Sequence, residues 1–151
     1  MLRDRLQAAL KEAMKAREAE TVSTLRLILA ALKDRDVAAR GKGEPSPVGD
    51  DEIVGLLAKM VRQRREAIKQ FEAGGRLDLA ERERAEIAVI ERFMPKQMTD
   101  QEIAAAVDAV IAELGAAEPK DLGRTIAALK ARYAGRIDLA KASARVREAL
   151  R

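Results

Sequence analysis

Lys59, Arg62, Arg65 and Lys69 recur at spacings of three and four residues, and Arg76 follows a Gly74-Gly75 pair. On a helix the first four lie within about 60° of Arg62 around the axis, a single cationic stripe. Arginine can fork onto phosphate, and a straight row of cations can follow a nucleic-acid backbone. No aromatic residue is interleaved, so such a stripe would read phosphate and shape rather than stacked bases. An ordinary solvated face fits the same pattern, because Glu66 and Glu72 share the segment. A second candidate is Gly123-Arg124 with Gly135-Arg136, glycines near helix ends beside cations. There, backbone and guanidinium could approach one phosphate together; close helix packing and a C-terminal cap are the alternative.

Other chemistry is thinly represented. The chain has neither His nor Cys, which removes Ser-His-Asp and Cys-His triads, thiol redox chemistry and Cys/His zinc sites. A general base is limited to a carboxylate, a Lys or the single Tyr. Glu81, Glu83 and Glu86 lie close together, but their Arg neighbours suit an ion-paired surface better than an acid/base pair. Asp50-Asp51-Glu52 lacks the alternating ligands of a calcium loop and reads as the acidic start of a helix. Gly41-Lys42-Gly43 has neither the spacing nor the preceding strand of a phosphate-cradling loop. No catalytic, cofactor-binding or metal-ligating set is assigned.

The elements that must carry the cations are helical. Of 151 residues, 36% are charged and only 2% aromatic. Apolar residues recur at helical spacing nearly throughout, with no alternating stretch long enough for a strand. An all-α fold follows, with four helices at about 2–18, 21–40, 50–73 and 77–94. The first two are separated from the third and fourth by a Gly/Pro-rich loop near 41–49. After Pro95 the pattern restarts. Thr99-Asp100-Gln101-Glu102 has the form of a capping box, Gly115 suits a helix end, and Asp138 suits a helix start. Three further helices follow, so the division is a four-helix domain, 1–95, and a three-helix domain, 96–151. The net charge of +4 favours an acidic partner. No apolar run reaches a membrane span and the N-terminal helix is charged, so a cytoplasmic protein without a membrane partner is expected.

In the third helix, Ile53, Leu57, Met60, Val61, Ile68 and Phe71 form the stripe opposite Arg62. Arg64 falls inside that apolar stripe. In an antiparallel partner helix, Glu83 falls among Ala80, Ile87 and Ile90, with Glu86 beside it. An ion pair from Arg64 to one of these acids is expected, making Arg64 structural rather than RNA-facing.

Ser23-Thr24-Leu25-Arg26, Arg62 to Ile68 with Phe71 to Arg76 and Asp78-Leu79, Phe93 to Thr99, and Asp121-Leu122-Gly123 with Gly135-Arg136 are the most distinctive stretches of the chain. Together they resemble the GatB/YqeY family. The resemblance runs the length of the chain, in order. It implies a YqeY-like N-terminal domain and a C-terminal domain similar to the tail of the tRNA-dependent amidotransferase B subunit. In that enzyme the tail helps hold tRNA, while a separate domain performs carbon–nitrogen ligation with glutamine as amido-N-donor. Nothing resembling the catalytic domain occurs here. The matching YqeY-type positions are Arg26, Arg62, Arg64, Arg65, Arg76, Lys96 and Gln97. The tail-type positions are Gly123, Arg124, Gly135 and Arg136. Ile137 and Leu139 stand where the family pattern favours a small residue and Gly. The implied role is a non-catalytic accessory that binds tRNA or an amidotransferase-type complex; the alternative is a protein–protein adaptor that binds no nucleic acid.

Overall fold

The computed structural model describes all 151 residues and contains seven α-helices, one short 3-10 turn and no strand. The chain divides into two compact units, Met1–Met94 and Pro95–Arg151.

The first unit holds α1 (Leu2–Lys15), α2 (Ala19–Gly41), α3 (Asp50–Ala73) and α4 (Leu77–Glu91). Its core is aliphatic, and Leu6, Leu25, Ile28, Leu32, Ile53, Leu57 and Ile90 are essentially inaccessible. Burial of a side chain of this size is worth about 1.5–3 kcal/mol. The α3 stripe is buried as its periodicity requires, except that Phe71 is half-buried and Leu56 joins the interior. A three-residue Gly74-Gly75-Arg76 turn folds α4 back along α3. Gly75 takes the left-handed φ of 73°, and the amides of Gly75 and Arg76 donate to the carbonyls of Glu72 and Phe71 at 3.1 and 2.8 Å, a Schellman closure.

The α1 end uses the same device with an arginine. Arg17 adopts φ 56°, and the amides of Arg17 and Glu18 donate to the carbonyls of Met14 and Ala13 at 3.2 and 3.0 Å. The helix therefore stops at Lys15, three residues short of the expected 18. Asp36 fastens the long connection. Its carboxylate accepts both guanidinium nitrogens of Arg3 at 2.9 and 3.0 Å and the Val48 amide at 2.9 Å. The Arg3 fork, then the Val48 amide, hold this carboxyl below its ordinary range.

The second unit holds α5 (Asp100–Leu114), a 3-10 turn (Pro119–Asp121), α6 (Leu122–Arg132) and α7 (Leu139–Ala149). Ile103, Val107, Val110, Leu129, Val146 and Leu150 form its interior. The Thr99 hydroxyl accepts from the Glu102 amide at 3.1 Å and the Glu102 carboxylate accepts from the Thr99 amide at 3.2 Å, completing the capping box. Asp138 accepts from the amides of Ala140 and Lys141, so α7 starts where its cap predicts. The sixth helix is preceded by the 3-10 turn, Pro119–Asp121. Asp121 accepts there from the amides of Ala117 and Glu118 at 3.0 and 3.1 Å.

Candidate nucleic-acid interface

The buried stripe of α3 fixes the orientation of its opposite face. Lys59, Arg62, Arg65 and Lys69 are all exposed there. Their carboxylate partners are few. Arg65 lies 3.9 Å from Glu91 and Lys69 lies 3.8 Å from Glu66, whereas Lys59 and Arg62 belong to none of the chain's ion pairs. Such exposed pairs are worth about 0–1 kcal/mol, so phosphate can displace the carboxylates at little cost. Lys59 to Lys69 spans about 15 Å of helix. A nucleic-acid strand presents a phosphate about every 3.4 Å along its axis.

Arg76 is differently placed. Its Nε and NH2 grip the two Asp78 oxygens at 3.2 and 3.1 Å, and this bidentate contact holds the Asp78 carboxyl low. A phosphate would have to replace a matched carboxylate. Arg124 is similarly engaged, with Nε 3.1 Å from Asp121 Oδ1. Asp121 is itself held low, first by the amides of Ala117 and Glu118. The motif Asp121-Leu122-Gly123-Arg124 thus ties a turn together. Thr125, fully buried, donates its hydroxyl to the Asp121 carbonyl at 2.8 Å. Gly123 is exposed near the start of α6, and a Cβ built on it would meet nothing within 4 Å. Helix packing therefore does not explain this glycine.

Gly135 and Arg136 form a corner with Lys96 and Gln97. Gln97 Nε2 donates to the Gly135 carbonyl at 2.7 Å, the Met98 amide to the Arg136 carbonyl at 2.9 Å, and Arg136 Nε to the Lys96 carbonyl at 3.3 Å. Gly135 has φ 75°, where a side chain would be strained. The Met-Pro-Lys-Gln and Gly-Arg stretches are therefore one structural feature. Ile137 is buried and Leu139 packs beside it, so both fill the interior of this unit.

Arg64 takes the structural place expected of it. Only 14% of its side chain is exposed; Nε lies 2.8 Å from Glu86 Oε2 and 4.0 Å from Glu83. NH1 donates to the Met60 carbonyl at 3.2 Å. Burial first, and the neighbouring Glu86 second, push the Glu83 carboxyl up against the pull of Arg64.

Sequence reasoning did not single out Asp36 or the outer face of α2. The partners of Asp36 are 33 and 12 residues away, beyond any local motif. The α2 face did leave a signal. Leu27, Ala31, Asp34 and Ala38 recur at four, three and four residues, a second helical stripe opposite the buried one.

No helix is long and apolar enough to cross a membrane. Side chains that could hold a metal ion do not group in threes or more. The structure defines an all-helical protein with no strand. The chain belongs to the Yqey-like protein family, whose model matches residues 3–150. Among curated relatives it is similar to "Altered inheritance of mitochondria protein 41, mitochondrial" of Eremothecium gossypii, 33% identical over 111 residues. That match covers 72% of this chain and 58% of the relative. The proteins of the same name from Lachancea thermotolerans and Candida glabrata are 30% and 35% identical. Those matches cover 76% and 59% of this chain and 60% and 47% of the relatives. The chain therefore spans less than two thirds of the length of these relatives.

Proposed function

We propose that this protein is a non-catalytic accessory that binds tRNA or a tRNA-handling complex of the amidotransferase type. The α3 cations would be its principal phosphate contacts. The observation that carries the reading is the pair Lys59 and Arg62, exposed and without carboxylate partners, on one face with the loosely paired Arg65 and Lys69. The YqeY-like part is assigned to residues 1–95 and the tail-like part to 96–151. Arg136, Gly135 and Gly123 contribute contacts from the latter. Arg76 and Arg124 join only if RNA displaces Asp78 and Asp121. Carbon–nitrogen ligation would belong to a partner enzyme, with this chain holding the nucleic acid. A cytoplasmic location is part of the proposal. The relatives are named as mitochondrial, so a mitochondrial location is the alternative.

The test is binding of the full chain to bulk tRNA across a salt series. Four phosphate contacts at about 0.7–0.9 each give a slope of log K against log salt near −3. The double change Arg62→Glu and Arg65→Glu should roughly halve that slope and weaken binding at least ~10-fold at low salt. Binding that is absent at low salt, or indifferent to salt and to these changes, would overturn the reading in favour of an adaptor that binds only proteins.

A further inference from the structure

The outer face of α2 has no partner. Two open depressions, of about 610 and 510 Å³, lie along it and share Leu27. The first runs from Ala19 through Val22 and Ser23 with Met14 on its wall. The second continues through Ala31 and Ala38 and is walled on the α3 side by Leu56 and Met60. Together they follow α2 from residue 19 to residue 38, about 28 Å at 1.5 Å per residue. Isolated exposed apolar residues are ordinary on protein surfaces. Here Leu27, 47% exposed, instead shares a helical stripe with Ala31, Asp34 and Ala38, and Met14, 50% exposed at the end of α1, stands on the wall of the same depression.

We propose that this stripe is a docking groove for an acidic amphipathic helix of a partner protein. Charge selects the occupant. Arg17, Arg26 and Lys59 line the groove and belong to none of the ion pairs in the chain. Arg35 is held 3.6 Å from Glu52 in an exposed pair. Asp34 is the one acid on the wall. The apolar lining is aliphatic, alanine and methionine, without an aromatic ring. Successive bases of a single strand therefore find no stacking platform, whereas the leucine-type side chains of an amphipathic helix find a deformable, methionine-bearing surface. The length accommodates a helix of about 18 residues, with apolar positions facing α2 and carboxylates reaching the cationic rim. Arg26 contributes directly, since it lines the first depression together with Leu27. The proposal does not depend on RNA binding, because Leu27 and Arg26 lie outside the α3 stripe.

The test uses the full chain and a fluorescein-labelled synthetic helix of about 18 residues, with leucines at three- and four-residue spacing and glutamates on both flanks. Two comparison peptides are a scramble of the same composition and a version with lysine replacing glutamate. The expected dissociation constant is on the order of 10–100 µM, in the range of a single weak groove contact. Leu27→Glu should weaken it at least ~10-fold. Arg26→Glu should weaken it roughly 3- to 10-fold and improve binding of the lysine peptide. Leu77→Glu, a change at a 63% exposed leucine on α4, should leave both unchanged. Unaltered melting of Leu27→Glu and Arg26→Glu checks the fold; Arg26→Glu also retains the apolar lining. Equal binding of the scramble, no effect of either variant, or no binding at about 1 mM peptide overturns the proposal. So does a dimer of the wild type that Leu27→Glu disperses, which would make the occupant a second copy. Loss of tRNA binding in Leu27→Glu, without peptide binding, would make the groove an RNA surface instead.

Discussion

Replacing Arg64 by Met would retain most of the largely buried aliphatic stem, 14% exposed, while removing the guanidinium. Glu86 then loses its 2.8 Å donor, and Glu83 faces a second carboxylate with no cation between them. One stranded charge in a fully buried pair costs about 3–5 kcal/mol. Glu83 and Glu86 retain 22% and 23% exposure, so water recovers part of the loss and the expected cost is about 2–3 kcal/mol. For a unit of this size that lowers the melting temperature by roughly 10–20 °C. The pH dependence has a defined sign. The folded-state Glu83 pKa is raised above the ordinary 4.5, chiefly by burial, and Arg64 opposes that rise. Without Arg64 the rise is larger. A raised carboxyl favours the folded state in its protonated form, so the deficit is complete above the folded pKa and shrinks as pH falls toward 4.5. Circular-dichroism melts at neutral pH and at about pH 4 measure both effects. Arg62→Met is the control, since that residue is exposed and unpaired, and it should change stability by less than about 0.5 kcal/mol. A cost below about 1 kcal/mol for Arg64→Met at neutral pH would refute the structural role. An equal deficit at both pH values would refute the assignment to carboxylate repulsion.

Asp36→Asn leaves the Val48 amide an acceptor but breaks the fork with Arg3, at an expected cost of about 1.5–3 kcal/mol in urea unfolding at neutral pH. Because the native Asp36 carboxyl is held below its ordinary 3.8, its contribution is complete above that value and lost as pH falls through the lower folded pKa. The gap between variant and wild type should therefore narrow as pH falls below 3.8; a constant gap would sink the explanation. Arg17→Gly should stabilise the chain by roughly 0.5–1 kcal/mol, since φ 56° strains an arginine and not a glycine. Destabilisation would mean that the Arg17 side chain supports the α1–α2 turn by more than its backbone shape.

Features settled by local chemistry were legible in the sequence. The capping box at Thr99, the start of α7 at Asp138 and the helix end at Gly115 each need only residues within a turn of one another. The α3 orientation was legible too, because that helix has a single wide apolar stripe, and the angle that buries Ile53 and Leu57 exposes Arg62. The boundaries that shifted have physical causes. Arg17 closes α1 in a conformation usually given to glycine, so no residue type announced it. The fourth helix stops at Glu91, before the expected 94. Residues preceding a proline avoid the helical region, and Arg92 to Met94 close instead in tight turns, with the amides of Phe93 and Met94 donating to Ile90 and Glu91. Phe93 is buried there beneath the guanidinium groups of Arg5 and Arg92, 5.7 and 5.6 Å from its ring centre.

The candidate site divides the same way. Cationic spacing gave the α3 face, but spacing alone does not say which cations are already engaged. Arg76 and Arg124 have acids two and three residues away that engage them, the first through a fork and the second through Nε alone, whereas Arg62 has Glu66 at i+4 and does not pair with it. The α2 groove escaped periodicity because that helix has two stripes, and the buried one, Leu25, Ile28 and Leu32, dominates the pattern. The two proposed surfaces meet at Lys59, which stands on the α3 cationic face and also on the wall of the α2 depression. An acidic helix seated in the groove would use that ammonium and leave RNA with Arg62, Arg65 and Lys69. Such a chain could hold both partners, with each weakening the other through one shared charge rather than through a change of fold.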